Sequence, residues 1–207
     1  MTKVFNWQEK IKEEELDEVI NCLKNDGIII FPTDTVYGIG CNCFSKKGIK
    51  RIFELKNRDN NKPINVLTNS IDKIKLVANN INDLEINLIN KYMPGALTVI
   101  LDKKEEVPSI LTADLDTIGV RIPKDRIALS ILEKYDYPLA TTSVNYSGEL
   151  PGVKVFDFYN DFNGKVDYII DGGVSTIGIA STIIRVENSR YKIIREGSIK
   201  IEDSLSE

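Results

Sequence analysis

Residues 28–40 read IIIFPTDTVYGIG, an apolar run that changes at once into a polar segment containing glycine. The run is typical of a buried strand, and Pro32 should end it at Phe31 because proline has no N–H for a sheet ladder. Gly38 and Gly40 permit a tight turn or the close approach of a ligand. In open α/β sheets ligands bind beyond the carboxyl ends of the strands, so this segment is the first candidate for a binding site.

The overall composition is typical of a globular chain, with 207 residues of which 42% are hydrophobic and 28% charged. This length accommodates one large domain or two small ones. No apolar run approaches the ~18 residues needed to span a bilayer, so we expect a soluble, cytoplasmic protein with no membrane association. The three cysteines, Cys22, Cys41 and Cys43, predict buried thiols in a reducing compartment rather than a zinc site.

The chain contains no histidine, which excludes histidine-based triads, histidine general bases and imidazole metal ligands. It also lacks G-x-x-x-x-G-K-[ST], G-x-G-x-x-G and G-x-S-x-G, the patterns of phosphate loops, dinucleotide-binding loops and many serine hydrolases. We therefore expect no covalent catalysis by the protein. Hydroxyl and cation clusters remain at the predicted strand ends: Thr33 and Thr35; Lys56, Arg58 and Lys62; Thr117 and Arg121; Thr141, Ser143 and Ser147; Ser181 and Thr182; and Arg195.

The net charge of −4 gives no global field for nucleic acid, but residues 46–62 are locally basic, with seven cations against two acids. The lysines at positions 46, 47 and 50 fall within a helical pattern, and we expect them on its solvated face. Lys56, Arg58 and Lys62 come where that pattern ends, and a loop there can direct them inward.

Hydrophobic periodicity and turn residues predict a mixture of helices and strands. Helices are predicted over residues 13–25, 72–79 and 83–92, and further helices begin at the capping residues Ser45 and Asp125. Strands are predicted over residues 28–31, 64–67, 97–101, 118–122, 139–142, 166–170, 181–186 and 191–194, with a loop over 107–116. There is no strict βαβ rhythm and no internal repeat, so we predict one mixed α/β domain whose polar loops converge on a cleft.

Seven short motifs occur in the order of one known family: PTDTVYGIG (32–40), KNR (56–58), PGALT (94–98), GVRIP (119–123), SVNYSG (143–148), STI (181–183) and REG (195–197). On these motifs the chain resembles the short form of the YrdC/Sua5 family, the L-threonylcarbamoyladenylate synthases. The resemblance implies a single YrdC-like domain over residues 1–207, with its motifs within 13–199, a tail at 200–207 and no additional C-terminal Sua5 domain. It also implies a twisted, open mixed sheet flanked by helices, with a large concave cavity lined by positive charge.

The same resemblance implies a nucleotidyltransferase reaction, in which L-threonine, bicarbonate and ATP give threonylcarbamoyl-AMP, pyrophosphate and water. Mg²⁺ is the implied cofactor, and it would share the neutralisation of phosphate charge. The product would pass to the transferase complex that modifies adenosine 37 of tRNA, with at most a weak contact between this chain and tRNA. Because the substrates supply the nucleophiles, the protein has only to align them.

The family resemblance also assigns roles by position. Threonine would be held by Thr35, Arg121, Thr141 and Ser181. ATP would be held by Lys56, Arg58, Lys62, Thr117, Ser143, Asn145, Pro151 and Arg195, with the first three on the phosphates. Lys56, Arg58 and Arg121 would align the substrates, and no protein side chain is assigned to the metal. Two positions depart from the family pattern, since Asp59 occupies a common proline position and Leu67 a common polar contact to threonine.

Arg121 is the natural bidentate partner for the carboxylate of threonine. It lies near the end of an apolar strand, where a guanidinium is costly to bury unless a carboxylate or several acceptors satisfy it. No acidic residue lies near enough in sequence to do so locally, so we expect the ligand to be its partner. The alternative is a structural ion pair with a distant carboxylate such as Asp171.

Two other functions compete with the synthase interpretation. One is a module that binds double-stranded RNA or tRNA, against which the negative net charge and the lack of a basic stretch interleaved with aromatic residues both count. The other is a carbamoyltransferase domain that handles carbamoyl-adenylate, as in hydrogenase maturation proteins. Domains of that kind belong to larger chains with other motifs, which this sequence lacks.

Overall fold

The computed structural model describes residues 1–201, so most of the tail predicted at 200–207 lies outside the described residues. The strands are β1 (Lys3–Asn6), β2 (Ile29–Phe31), β3 (Gly38–Asn42), β4 (Asn65–Leu67), β5 (Ala78–Asn79), β6 (Leu97–Lys103), β7 (Thr117–Arg121), β8 (Leu139–Ser143), β9 (Tyr168–Asp171), β10 (Thr182–Glu187) and β11 (Arg190–Arg195). The α-helices are α1 (Glu13–Lys24), α2 (Lys46–Lys56), α3 (Ile71–Ile74), α4 (Asp83–Tyr92), α5 (Ser109–Thr112), α6 (Arg126–Lys134) and α7 (Tyr159–Phe162), and a 3₁₀ turn spans Val155–Asp157.

All eleven strands join one mixed sheet in the order β1-β9-β2-β3-β8-β4-β7-β6-β10-β11, with β5 paired to β6. The pairs β1/β9, β2/β9, β4/β7 and β6/β10 are parallel. The pairs β2/β3, β3/β8, β4/β8, β6/β7, β5/β6 and β10/β11 are antiparallel. The sheet has two edges, β1 and β11, and is therefore open. This confirms the predicted mixed α/β fold with an open sheet flanked by helices.

The apolar run at residues 28–31 is buried on both faces of the sheet. Ile28 and Ile30 belong to one hydrophobic cluster, which helices α2 and α4 cover. Ile29 and Phe31 belong to a second cluster, which helices α1 and α6 cover. Because successive side chains of a strand point to opposite faces, a strand covered on both sides has to be apolar at every position. The prediction of a buried strand ending at Phe31 is confirmed.

The polar loop after β2 is shorter than the sequence indicated. It spans residues 32–37, and the Gly38–Asn42 segment returns as β3, antiparallel to both β2 and β8. The two glycines permit the close approach of a strand. A Cβ on Gly38 would lie 2.7 Å from Thr141 Cγ2, and one on Gly40 would lie 2.9 Å from Thr141 Oγ1. The glycines therefore make room for Thr141 on the neighbouring strand rather than forming the turn itself.

The helices with clear caps are confirmed. Ser45 caps α2 by accepting the Gly48 N–H at 2.9 Å, and Asp125 caps α6 by accepting the Ala128 N–H at 2.8 Å. Each cap satisfies one of the backbone donors that a helix leaves unpaired at its start. The predicted helices at 13–25 and 83–92 correspond to α1 and α4.

Two local predictions were wrong, and β1 was not predicted. The helix predicted over 72–79 stops at Ile74, and Ala78–Asn79 forms β5 because it pairs with β6. The loop predicted over 107–116 contains a short helix at Ser109–Thr112. β1 forms through parallel pairing with β9, a strand far along the chain. For both β1 and β5, pairing with a strand elsewhere in the chain outweighs the weak local sequence pattern.

The cysteines are free thiols inside the fold. Cys41 and Cys43 are buried as predicted, and Cys22 is partly buried. Burial raises the pKa of the Cys22 thiol to about 12 and the pKa of the Cys41 and Cys43 thiols further still. Among residues 1–201, no helix has the length and apolar character needed to cross a membrane.

We expect Gly40→Ala to lower the free energy of unfolding by about 1–3 kcal/mol, the usual cost of overpacking. The added Cβ would lie 3.1 Å from the Ala140 carbonyl oxygen, a backbone atom of β8 that cannot move aside cheaply. Urea denaturation followed by circular dichroism measures this change. Ile193→Ala, at a 38% exposed position on the edge strand β11, is the control and should change stability by about 0.5 kcal/mol at most. Equal stability of Gly40→Ala and the wild type would contradict the close spacing of β3 and β8.

Candidate functional site

A cavity of about 330 Å³ lies over one face of the central strands. Its residues on these strands are Gly38 on β3; Asn65 and Leu67 on β4; Thr98 and Ile100 on β6; Thr117, Gly119 and Arg121 on β7; and Thr141, Thr142 and Ser143 on β8. Further residues come from the loop after β2, from Arg58 and Pro63, and from Ala180, Ser181, Ile183, Ile194 and Arg195. The alternation along β4, β6 and β7 puts these side chains on one face of the sheet. Leu67 also belongs to the hydrophobic cluster that α1 and α6 cover. The cavity and this cluster are therefore neighbours on the same face of the sheet, and the cavity lies over the part of that face that α1 and α6 do not cover.

The cavity is lined by positive charge. Three arginines, Arg58, Arg121 and Arg195, are among its lining residues, and no aspartate or glutamate is. Burial lowers the pKa of all three guanidinium groups, although a guanidinium remains charged at any physiological pH. A low-dielectric site with an excess of positive charge attracts anions such as carboxylates and phosphates.

The guanidinium group of Arg121 forms hydrogen bonds and an ion pair within the protein. Its Nη2 lies 2.5 Å from Asp34 Oδ1, its Nη1 donates to Thr35 Oγ1 at 2.7 Å, and its Nε donates to the Gly95 carbonyl oxygen at 2.8 Å. The expectation that the ligand is its only counter-ion was therefore wrong. The alternative, a structural ion pair between Arg121 and a distant carboxylate, is confirmed, but this carboxylate is Asp34 rather than Asp171. Asp34 lies 87 residues away in sequence, so no local pattern could reveal it.

Arg121 still has hydrogen-bonding capacity to offer the cavity. A guanidinium carries five N–H donors, and the three bonds above use three of them. Among residues 1–201, the remaining two have no assigned acceptor, and Arg121 lines the cavity while only 6% exposed. Burial lowers the pKa of Arg121, and the neighbouring Asp34 carboxylate opposes this shift. The group can thus bind a second carboxylate from the cavity side.

The loop after β2 is organised by Thr33. Its hydroxyl donates to the Val36 carbonyl oxygen at 2.6 Å and lies 3.0 Å from Thr35 Oγ1. From the other side, the N–H groups of Ile177 and Gly178 donate to the carbonyl oxygens of Asp34 and Thr35. The Thr35 hydroxyl is therefore fixed between Thr33 and Arg121 at the cavity wall. Thr33 itself, a member of one of the sequence clusters, acts here as a scaffold residue.

Ser181 is fixed in a similar way by Thr98 and Arg195. Its hydroxyl lies 2.8 Å from Thr98 Oγ1 and accepts a bond of 3.2 Å from Arg195 Nη2. The Arg195 guanidinium also donates to the Ser181 carbonyl oxygen, from Nη2 at 2.7 Å and from Nε at 3.2 Å. Sequence reasoning assigned Ser181 and Arg195 to different ligands. The structure places them in direct contact and adds Thr98, which that reasoning missed.

Lys56 is a buried cation whose partners are all in the protein. It is 1% exposed, and its Nζ donates to the Ser143 carbonyl oxygen, to the Asn145 carbonyl oxygen at 2.6 Å and to Asn145 Oδ1 at 3.3 Å. Burial, followed by the charge of Arg58, lowers the pKa of Lys56 to about 7. All three ammonium protons thus have acceptors that join the end of α2 to the end of β8. A direct bond from Lys56 to a phosphate would require one of these bonds to break.

The cavity brings together eight of the residues predicted to bind substrates. They are Thr35, Arg58, Thr117, Arg121, Thr141, Ser143, Ser181 and Arg195. Lys56, Lys62, Asn145 and Pro151 do not line it. Lys62 is exposed, and its carbonyl oxygen accepts a bond of 3.0 Å from Arg58 Nε. The binding roles of these four residues remain predictions. The lysines at positions 46, 47 and 50 are exposed on helix α2, as predicted.

Asn65 and Thr98 also line the cavity and were not singled out from the sequence. The signal that could have found Asn65 is register. Val66 pairs with Val120 and Leu67 with Arg121, so Asn65 lies beside Gly119 on the same face as Thr117 and Arg121. Strand pairing is not visible in a single sequence, and the signal becomes usable only once β4 and β7 are known to be neighbours.

Similar proteins with a curated name support one family. The threonylcarbamoyl-AMP synthase of Pyrococcus abyssi is 34% identical over 203 residues, which are 98% of this chain and 60% of that protein. The putative threonylcarbamoyl-AMP synthase of Methanocaldococcus jannaschii is 38% identical over 197 residues, which cover 93% and 92% of the two chains. The threonylcarbamoyl-AMP synthase of Bacillus subtilis is 30% identical, with coverage of 92% and 55%. The chain thus spans just over half the length of two of these relatives and nearly all of the third.

Solved structures agree with this result. The crystal structure of P. abyssi Sua5 complexed with L-threonine has a TM-score of 0.91 to this chain at 35% identity, and it covers 95% of this chain and 58% of that chain. E. coli YciO has a TM-score of 0.85 with coverage of 95% and 96%, but its identity of 23% supports the fold alone. A family model named Sua5_yciO_yrdC, with the description telomere recombination, matches residues 21–197. The chain belongs to the Sua5/YciO/YrdC family.

Proposed function

We propose that this chain synthesises threonylcarbamoyl-AMP from L-threonine, bicarbonate and ATP, releasing pyrophosphate and water. The observation that carries the proposal is the cavity, which is lined by Arg121 with two unused N–H donors, by several hydroxyls and by two further arginines, Arg58 and Arg195. The names of the relatives and the threonine-bound Sua5 structure support the same assignment. Because the chain covers only part of several relatives, the substrates and the activity are stated here as proposals.

The chemistry suits a protein without a nucleophile of its own. The amine of threonine and bicarbonate condense to a carbamate with loss of water, and a carbamate oxygen then attacks the α-phosphorus of ATP. The bond from the α-phosphorus to the bridging oxygen breaks, and pyrophosphate leaves. The chain has no histidine, and no carboxylate lines the cavity. The contribution of the protein is therefore alignment and neutralisation of charge.

Threonine would bind at the Arg121 end of the cavity. The two unused N–H donors of Arg121 would take its carboxylate, while the hydroxyls of Thr35, Thr141 and Ser181 would contact its amine and side-chain oxygen. Leu67 lines the same region, so an apolar contact replaces the polar one that the family pattern favours. Arg121 would thus have two tasks, since it binds substrate and also anchors the loop after β2.

ATP would bind toward Arg58, Thr117, Ser143 and Arg195. Lys56 would act mainly from behind the cavity wall, because its bonds to the Ser143 and Asn145 carbonyl oxygens fix the end of β8. The Ser143 hydroxyl is in turn held by Asn145 Oδ1 at 2.5 Å. Lys62 and Pro151 lie outside the cavity lining and would contact the nucleotide at its entrance.

Mg²⁺ would enter with the nucleotide as the Mg·ATP substrate. Among residues 1–201, no group of three or more acidic, cysteine or histidine side chains could hold a metal by itself. Mg²⁺ in nucleotide sites is held largely by substrate phosphates and water, and the cavity fits this arrangement because its lining offers hydroxyls but no carboxylate cage. The ion would neutralise the charge of the leaving pyrophosphate.

The product would serve the threonylcarbamoyl modification of adenosine 37 in tRNA, through a separate transferase complex in the cytoplasm. The likeness to HypF at 21% identity supports a shared fold alone and gives no support to the carbamoyltransferase alternative. The RNA-binding alternative has no specific structural observation in its favour.

Pyrophosphate release from ATP should require both threonine and bicarbonate, because the attacking carboxylate exists only after the carbamate has formed. An enzyme-coupled pyrophosphate assay measures this, with each substrate omitted in turn as the control. Equal release with ATP alone would rule out the synthase. Salt-sensitive binding of duplex RNA without this activity would favour the RNA-binding alternative instead.

Arg58→Ala should weaken ATP binding about 10- to 100-fold, since a hydrogen bond to a charged group contributes roughly 1.5–3 kcal/mol. Threonine binding should change little. Isothermal titration calorimetry with a non-hydrolysable ATP analogue measures both effects. Lys46→Ala, in the same basic segment, and Arg190→Ala, a matched change of an exposed arginine, are the controls and should bind as the wild type does. A similar small effect of all three substitutions would contradict the assignment of Arg58.

Arg121→Lys should affect both stability and threonine use. A lysine cannot reach Asp34, Thr35 and the Gly95 carbonyl oxygen together, so we expect a loss of about 1–3 kcal/mol in the free energy of unfolding. The threonine concentration for half-maximal rate should rise about 10-fold or more, because the bidentate fork is lost.

Asp34→Asn provides the matched comparison, since it removes the structural ion pair and keeps the guanidinium. It should lose stability but raise the threonine requirement less than Arg121→Lys. Threoninol, which lacks the carboxylate, should not be a substrate of the wild type. An unchanged threonine requirement in Arg121→Lys, combined with lower stability, would assign Arg121 to the scaffold alone.

A further inference from the structure

Asn65 is one of the polar residues that line the cavity. It lies on β4 beside Gly119 of β7, and the two strands run parallel with Leu67 paired to Arg121. Along β7, Gly119 lies between Thr117, which is assigned to the nucleotide in the proposed function, and Arg121, which is assigned to threonine. A group at this position is therefore next to the point where the two substrates have to meet.

The side-chain amide of Asn65 is uncommitted. Asn65 lines the cavity and is only partly exposed, yet it has no side-chain hydrogen bond within residues 1–201. Its neighbours on the cavity surface differ in this respect, because Thr35, Arg121 and Ser181 are each held by protein partners. Neither polar atom of Asn65 is among the buried side-chain atoms that lack a partner, so the carboxamide is accessible from the cavity and a ligand can bond to it without breaking a bond within the protein.

Gly119 explains how the carboxamide reaches this position. An added Cβ at residue 119 would lie 2.3 Å from Asn65 Oδ1 and 3.1 Å from Asn65 Cγ. The carboxamide therefore occupies space beside Gly119 that a side chain at residue 119 would fill. Oδ1 is the atom nearest Gly119, where C–H groups are suitable weak donors, and this orientation leaves the Nδ2 amino group free to donate.

The ligand groups that need donors at this position are anionic. In the proposed reaction a carbamate oxygen forms a bond to the α-phosphorus while the bond to pyrophosphate breaks, and negative charge is spread over the phosphoryl oxygens. Arg58, Arg121 and Arg195 line the same cavity as Asn65. Asn65 adds a neutral donor to this lining, and it can bond to a carbamate or phosphoryl oxygen without giving up a proton.

We propose that Asn65 is a catalytic residue that donates from Nδ2 to the oxygens at the carbamate–phosphoryl junction as the new bond forms, and that Gly119 is required to let it do so. This inference rests on the proposed synthase function. It assigns no proton transfer to Asn65, since the amide only stabilises charge that develops as the new bond forms.

The test compares Asn65→Ala, Gly119→Ala and the double variant in the pyrophosphate assay. We expect kcat to fall about 10- to 100-fold in Asn65→Ala, the range for one lost hydrogen bond to a charged group. The concentrations of ATP and threonine for half-maximal rate should change by a few-fold at most. Asn65→Asp, which keeps the shape but replaces the donor with an anion, should lose at least as much.

Gly119→Ala should reproduce the loss of Asn65→Ala, because its Cβ displaces the carboxamide. The double variant should be no worse than Asn65→Ala alone, since the displaced group is already absent. Asn79→Ala, a matched change at an exposed position on β5, is the control and should leave kcat unchanged. Thermal scans of every variant show whether a loss of activity results from unfolding. If Gly119→Ala does not fold, the comparison of Asn65→Ala and Asn65→Asp with the wild type tests the role of Asn65.

The outcomes separate this inference from the function on which it rests. A wild type without threonine-dependent pyrophosphate release would overturn the proposed function and this inference with it. An active wild type with Asn65→Ala within twofold of its kcat would overturn the inference alone. Fully additive losses in the double variant would show that Gly119 acts independently of Asn65, which would overturn the coupling between them.

Discussion

The buried ion pair between Arg121 and Asp34 joins the two parts of the molecule on which the site depends. It ties the end of β7 to the loop after β2, across 87 residues of sequence. Both side chains are almost fully buried, so each would carry a large desolvation cost without the other. Asp34 Oδ1 also accepts the Lys124 N–H at 2.9 Å, which brings the start of α6 to the same point. The pair thus fixes one cavity wall before any ligand binds, and it keeps two guanidinium donors available.

The cavity exists because the helices cover only part of one sheet face. Helices α1 and α6 pack over the strands from β1 as far as Leu67 on β4, whereas the same face at Asn65 and along β7 and β6 lines the cavity. Small side chains deepen this opening. Gly38 leaves space for the side chain of Thr141, and Gly119 leaves space for the side chain of Asn65. These polar side chains can therefore pack close to the sheet, where a larger residue in place of either glycine would exclude them. The concave shape therefore follows from helix placement and from two glycines rather than from a separate domain.

Positive charge in the cavity wall is only partly neutralised by the protein. Asp34 offsets Arg121, but Lys56 has only neutral oxygen acceptors, and no carboxylate bonds to Arg58 or Arg195 within residues 1–201. Burial lowers the pKa of Lys56, Arg58 and Arg195, because their charged forms lose hydration by water. An anionic ligand offsets this loss by acting as the missing counter-ion. The arrangement favours binding of phosphate and carboxylate groups over stability of the empty protein.

The sequence by itself determined the elements whose causes are local. The buried strand at Ile28–Phe31, the capped helices after Ser45 and Asp125, and the exposed lysines at positions 46, 47 and 50 follow from periodicity, capping and charge, which act over a few residues. The ordered motifs also sufficed to indicate the family. Only the tertiary structure decided that Gly38–Asn42 is a strand, that Asp34 is the partner of Arg121, that Lys56 faces backbone oxygens and that Asn65 lies beside Gly119. Each of these contacts joins segments far apart in the chain, so its energy depends on strand order and register, which no local pattern encodes.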